Sequence, residues 1–335
     1  MRSNHPYMKQ RNGPDNPLGL ARRRYLGWAG AALVTPLVGA CSAPVSPMRV
    51  GSIVFPGYEG LFLAREYGYL DTHRVRLVEM LANTDTLRSL AVDQLEAAAM
   101  TLDELMTARA DGVDLRAVLV FDVSDGADVV LAKPPVTLQS LKGRRVAVED
   151  GAMGAVMLSA LLKAAGLQPA DIVKVPMTLD RSEEVFAQSK VDAVVTAEPW
   201  AARIEKKGAA RIFDSTAIPG RIVDVLAVRA AALQTHASAL RYLLDGYFAA
   251  KAQQQQAPQR ANELMSARLQ TPAADVTALY RGLRLPGLAE NRAMLSPGGV
   301  VDSTARELQK VMVEAGLLPQ TAVLQQLSDP GFLPI

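Results

Sequence analysis

From Met48 onward, short apolar runs rich in β-branched residues alternate with segments whose apolar positions recur at helical spacing. That alternation predicts βα units built around mostly parallel sheets. A first series of strands is predicted at 48–54, 74–79, 95–100, 115–120 and 127–131, and a second at 144–148, 171–176, 191–196 and 211–213. Helices are predicted between them at 58–67, 84–92, 102–110, 152–165, 182–188 and 199–206. The helix from Ala152 stops at Gly166, a residue suited to a C-cap. Residues 223–229 (VDVLAVR) read as one more strand, after which 232–327 reads as almost entirely helical, with Gln253 to Gln256 at a helix end.

Two comparable series of βα units predict two α/β lobes. A late strand followed by helices is what a chain returning to its first lobe would show. The expected organisation is a discontinuous lobe I (48–131 plus 225–335) with lobe II (132–224) inserted, and crossings near Ala132–Pro135 and near Asp224.

The N-terminal segment reads as an address. After Arg22-Arg23-Arg24 comes an apolar stretch, Tyr25 to Ala40, which has the length of a signal-peptide core and is short for a bilayer span. It ends in Val38-Gly39-Ala40-Cys41, which resembles a bacterial lipobox with Cys41 as the lipidated residue. Residues 22–26 resemble a twin-arginine export signal, and a plain Sec leader fits as well. Residues 1–40 are thus expected to be a lipoprotein signal peptide, and 41–47 a proline-rich tether.

Composition narrows the field. Residues 1–40 carry six of the 36 basic and one of the 34 acidic residues, so the rest is slightly acidic and no nucleic-acid partner is expected. One cysteine and three histidines, with no HExxH, leave no thiolate or histidine metal site to expect. With 49% hydrophobic residues among 335, disorder is excluded, and two lobes of ordinary size fit the length.

In parallel α/β sheets, ligands collect beyond the carboxyl ends of strands, where loops lead into helix N-termini. Gly151 and Gly154 flank the opening turn of the helix from Ala152, whose free N–H groups and dipole suit a carboxylate, sulfonate or phosphate-like group. A glycine-rich turn with no ligand reads equally from these residues. Glu59, Asp103, Asp125, Glu149, Glu198 and Asp224 all fall at strand ends or crossings, and about half of such acids serve as caps, Asp103 and Asp125 foremost. If several point into one cleft, an amine is favoured over an anion. Tyr58 beside Glu59 and Trp200 beside Glu198 set an aromatic face next to an acid on each lobe, with Tyr58 expected to be exposed and Trp200 to pack in the core.

The runs PGYEGLFLAREYGYLD (56–71), TLDE (101–104), SDGAD (124–128), LKGRRVAVEDGAMGAVML (141–158), KVDAVVTAEPW (190–200) and IPGRIVDVLAVR (218–229), in that order, resemble substrate-binding proteins of ABC importers. The resemblance is to the nitrate, sulfonate and taurine type, a group that includes binding proteins for pyrimidine precursors. It implies a type II periplasmic-binding-protein-like fold with two crossover strands and a helical C-terminal part packed on lobe I. It also implies ligand contacts from Tyr58, Glu59, Thr84, Thr101, Asp125, Glu149, Gly151, Ala152 and Glu198. One departure is Asp93, where relatives often have glycine; it is expected to alter a turn. The loops carry no basic residue comparable to an anion clamp, which argues against nitrate or a dicarboxylate.

The resulting expectation is a monomeric, lipid-anchored protein on the periplasmic side, without cofactor or metal and without catalytic residues. It would hold a small nitrogen-containing solute, a taurine- or sulfonate-like zwitterion or a pyrimidine-type amine, and deliver it to the transmembrane subunits of an ABC permease. Gly151 and Ala152 would receive any acidic group, while Glu198, Glu149 and Tyr58 would recognise the amine or ring. A ligand-sensing lipoprotein, and less readily an enzyme on the same scaffold, are the alternatives.

Overall fold

The computed structural model describes residues 46–335 apart from Ser189 and residues 321–323. The expected signal peptide, Cys41 and most of the tether lie outside the described residues.

The first elements are β1 (Met48–Ser52), α1 (Glu59–Glu66), β2 (Val75–Glu79), α2 (Asn83–Ala91), β3 (Ala97–Thr101), α3 (Leu102–Ala110) and β4 (Leu115–Ser124). Then come β5 (Val129–Ala132), β6 (Arg145–Glu149), α4 (Ala152–Ala165), β7 (Val173–Met177), α5 (Ser182–Ala187), β8 (Ala193–Thr196), α6 (Trp200–Lys206) and β9 (Ala210–Asp214). Next, β10 (Val223–Arg229) leads into α7 (Ala230–Thr235), α8 (Ala237–Gln256), α9 (Pro258–Leu269) and α10 (Ala273–Val276). The two-residue β11 (Leu283–Arg284), α11 (Leu288–Leu295) and α12 (Val300–Glu314) complete the series.

These strands form a six-stranded sheet in the order β11-β4-β10-β3-β1-β2 and a five-stranded sheet in the order β7-β6-β8-β5-β9. In the first sheet β2, β1 and β3 run parallel, and β10 is antiparallel to both its neighbours. The second repeats the arrangement, with β7, β6 and β8 parallel and β5 antiparallel to β8 and β9. The antiparallel strand of each sheet is the one by which the chain arrives from the other lobe. Each lobe is therefore the same supersecondary unit, closed by a crossover strand.

Two details differ from the sequence reading. The strand expected at 127–131 in lobe I is β5, and it belongs to the five-stranded sheet. The first crossing consequently lies between Ser124 and Val129, ahead of the expected Ala132–Pro135. In addition, β4 runs on to Ser124, so Asp122 is a strand residue rather than part of a loop. The polar residues at 122 and 124 obscured this extension, which pairing with β10 and β11 supplies.

Local sequence follows position in the layers. The strand β3 reads Ala-Ala-Ala-Met-Thr and is buried throughout, because helices and neighbouring strands cover it on every side and small side chains admit them closely. Glycine has the same use in α1, where a Cβ on Gly60 would lie 2.5 Å from the Tyr247 ring of α8. In α4, Gly166 takes the left-handed conformation at φ 67° and ends the helix as expected. Met153, Met157 and Leu161 of α4 join the apolar cluster of the six-stranded sheet, so the lobes meet through a shared apolar contact. A smaller cluster of Val129, Leu131, Ala147, Phe186, Val194 and Ile204 fills the far side of the five-stranded sheet. Among the described residues no helix is long and apolar enough to cross a membrane.

Candidate functional site

Strand register builds the floor of the site. Asp224 on β10 stands opposite Thr101 on one side and opposite Asp122 on the other, so three polar residues form a row across three adjacent strands. The pairing of β4 with β10 shifts between Asp122 and Val120, leaving Phe121 as an extra residue, and such a bulge re-aims side chains. The Pro56–Gly57–Tyr58 turn comes down onto this row. A side chain on Gly57 would collide with the Asp122 carboxylate, so only glycine allows the approach.

The Tyr58 hydroxyl donates to Asp224 Oδ1, and the ring packs against Phe55 and Phe121 at centroid distances of 5.0 and 5.2 Å. Tyr58 is therefore buried, at 2% exposure, and not exposed as its Pro-Gly turn had suggested. Two aromatic neighbours and a hydrogen-bonded hydroxyl outweigh the turn's tendency to face solvent.

Above the floor the lobes touch. Glu104, in the first turn of α3, accepts a hydrogen bond at Oε2 from the Thr101 amide at 3.1 Å. Its other oxygen, Oε1, lies 3.9 Å from the point where a Cβ on Gly151 would stand, at the mouth of α4. Glu149, at the end of β6, accepts from the Thr84 amide of α2 at 3.3 Å and from the Leu179 amide at 2.9 Å. One carboxylate thus joins both lobes through free N–H groups near the start of α2. Beside Thr84, the buried Asn83 Oδ1 has no donor.

The site is strongly acidic. Among the described residues every charged side chain in the buried set is an acid: Glu59, Asp103, Glu104, Asp122, Asp128, Glu149, Glu198 and Asp224. Burial pushes Glu104 well above the usual carboxylate range, with the Asp103 charge adding to it. Asp122 is raised by burial and then by the neighbouring Asp224, while Lys251 of α8 pulls the other way. Asp224 is raised by burial and by Asp128, against the hydrogen bonds from Tyr58 and Asp122. Burial lifts Asp128 to about 6. Glu149 is also raised by burial, offset by the Leu179 and Thr84 amides. Without a compensating cation, buried carboxyls keep their protons because the charged form loses its hydration.

The remaining expected contacts fall elsewhere. Asp125 is exposed, and with Glu198 it lines a separate cavity of about 580 Å³ between the crossing, α6 and the segment around Gln270–Gly282. Glu198, just ahead of α6, accepts from the Ala202 amide in its first turn at 3.0 Å, and Trp200 is buried as expected. Glu59 faces away from the acidic row: it pairs with Arg268 of α9, which also donates to the Ile53 carbonyl and lies over the Phe62 ring. Burial, against the pull of Arg268, sets Glu59 at about 7.

Gly151 and Ala152 open α4 with no side-chain cap, whereas Gly154 is a packing residue whose Cβ would strike the Glu149 carbonyl and Val148. Asp93 takes φ 58° in the turn after α2, the conformation in which glycine is at ease, and pairs with Arg229.

The structure therefore brings together Tyr58, Thr84, Thr101, Glu149, Gly151 and Ala152, separates Asp125 and Glu198, and turns Glu59 aside. It adds Glu104, Asp122 and Asp128. A signal for Glu104 was present in the T-x-x-E capping pattern 101–104. A second was the charged residue inside the apolar run LVFDV, since an acid in a buried strand is rarely idle. Among the described residues no three histidine, cysteine or acidic side chains are set to hold a metal ion.

Comparison with known proteins agrees with this architecture. A protein of Escherichia coli (strain K12) described as an aliphatic sulfonates-binding protein is 27% identical over 195 residues, 56% of this chain and 60% of the relative. The match thus spans less than two thirds of that relative. The alkanesulfonate-binding protein SsuA from Xanthomonas axonopodis pv. citri, solved bound to MOPS, superposes with TM-score 0.70 at 17% identity, over 86% of this chain and 99% of its own. A desulfurization enzyme shares the fold at TM-score 0.59 and 17% identity, over 85% of this chain and 97% of its own. The two-lobed fold of periplasmic binding proteins is thus the fold of this chain. Residues 42–269 match the model of the NMT1-like family, and the chain is a member of that family.

Proposed function

We propose that the protein is an extracytoplasmic solute-binding protein, held to the membrane through Cys41, that captures a small nitrogen-containing organic solute between its lobes and hands it to an ABC permease. The observation that carries this reading is the set of buried carboxyls where the lobes meet, Glu104, Asp122, Asp128, Glu149 and Asp224, while Arg268 is turned to the remote Glu59 instead. A protonated amine would supply both the missing charge and the missing N–H donors, and would be gripped by groups from both lobes at once. Its differential affinity for the closed arrangement is what would shift an open–closed equilibrium.

The fold is also that of a desulfurization enzyme, so fold alone does not separate binding from catalysis. A thermal-shift panel of amines, aminopyrimidines, taurine and alkanesulfonates tests the reading, because a ligand bound only by the folded state raises apparent stability. Recovery of the bound compound unchanged supports a binding protein, and its conversion to a product overturns that reading.

A further inference from the structure

We propose that Glu104 sets the ligand class: standing at the N-terminus of α4, it makes the interlobe site select an organic cation and reject sulfonates. This rests on the solute-binding reading above.

The N-terminus of α4 is where an acidic ligand group would be received. The helix has 14 residues, its N-cap Gly151 is extended, and no side chain caps it. Its free N–H groups and dipole attract an anion. The group that faces this end is Glu104, whose Oε1 comes within 3.9 Å of the Cβ position of Gly151. Glu104 is held there by the Thr101 amide at its other oxygen and is 1% exposed. It occupies a place a sulfonate would need, and when an organic cation displaces its proton it stands there as an internal anion.

A second observation, independent of the acids, points the same way. The amide oxygen of Asn83 is buried without a donor, next to Thr84 at the same meeting of the lobes. Unsatisfied buried acceptors call for a partner rich in N–H donors. A sulfonate brings only acceptors and the wrong charge, whereas an ammonium or amidinium brings donors and the right one.

Isothermal titration at pH 7.5 with benzamidine, 4-aminopyridine and putrescine as cations, and ethanesulfonate as the sulfonate, tests this. The wild-type protein is expected to bind at least one cation and no sulfonate. In Glu104→Gln, the same cation should weaken at least tenfold while ethanesulfonate binding appears. A merely structural defect would weaken every probe, so the opposite movement of the two classes identifies a specificity role. Circular dichroism and the melting temperature show that the variant is folded.

Sulfonate binding by the wild type as tight as cation binding, or an unchanged preference in Glu104→Gln, overturns the proposal. A wild-type protein that binds neither class overturns the solute-binding reading as well, which marks that failure apart from a failure of Glu104 alone.

Discussion

Asp122 and Asp224 face each other on adjacent antiparallel strands beneath the hydroxyl of Tyr58, and the charge of Asp224 adds to burial in raising Asp122. Two carboxyls in such a place cannot both ionise without a cation between them or beside them. The half-buried Lys251 reaches Asp122 electrostatically but spends a hydrogen bond on the Pro286 carbonyl. The ligand-free site is therefore held together by protons, and its occupant is expected to replace them.

Replacing Asp122 by asparagine keeps the shape and removes the like charge. Urea unfolding of Asp122→Asn at pH 7.5 should show a ligand-free protein about 1–3 kcal/mol more stable than wild type. Cation affinity should fall at the same time. Equal or lower stability would mean that the pair is not strained without ligand.

Stability should also depend on pH in a defined direction. In the unfolded chain these carboxyls lose their protons near pH 4, whereas in the folded chain burial keeps Asp128 protonated to about 6 and raises Asp103, Glu104, Asp122 and Asp224 as well. The folded state then binds more protons through this interval, so raising the pH favours unfolding. Asp128 alone accounts for about 3 kcal/mol at roughly 1.4 kcal/mol per pKa unit. Carboxylates lowered by partners, such as Glu96 beside Arg49 and Asp192 beside Arg145, lose their contribution only in more acidic solution. The urea midpoint of the ligand-free protein is thus expected to be higher at pH 5 than at pH 7.5, and a flat or rising profile would contradict the burial of these acids.

Glu149 ties Thr84 of one lobe to Leu179 of the other through its two oxygens. In Glu149→Ala both amides lose their acceptor, at about 1 kcal/mol for each hydrogen bond. Small-angle scattering should show a larger radius of gyration for this variant without ligand. An unchanged radius would place the closing contact elsewhere, for instance at Lys206–Asp275 between α6 and α10.

Arg268 and Glu59 form a buried ion pair remote from the acidic row. Removing only the cation, in Arg268→Met, leaves an unpaired buried carboxylate and should cost about 3–5 kcal/mol. The double variant Arg268→Met with Glu59→Gln should recover most of that loss in chemical denaturation. Failure to recover would show that the guanidinium's stacking on Phe62 and its bond to the Ile53 carbonyl matter more than the charge.

Gly154 distinguishes packing from binding at the start of α4. Its added Cβ would strike the Glu149 carbonyl and stand 2.9 Å from Val148 Cγ2, so Gly154→Ala must push α4 off β6. A loss of about 1–3 kcal/mol is expected from such overpacking, read as a lower melting temperature. Gly151→Ala, whose Cβ meets nothing nearer than 3.9 Å, should leave the melting temperature within a degree or two of wild type.

The periodic pattern by itself determined the order of elements. Strand and helix spacing are local properties, and the helices expected at 102–110 and 152–165 occur at those residues. It also marked the strand-to-helix loops from which Thr101, Glu149 and Gly151 reach the site. Sheet membership was not local: 127–131 reads as a strand in either lobe, and only pairing of β5 with β8 and β9 assigns it to the second. The charge state of the site was not local either. Asp122, Asp128 and Glu104 read as ordinary acids until the fold removes them from water and sets them near Asp224 and Gly151. A carboxyl's pKa depends on its neighbours in space, and those neighbours come from five different elements and loops of the chain.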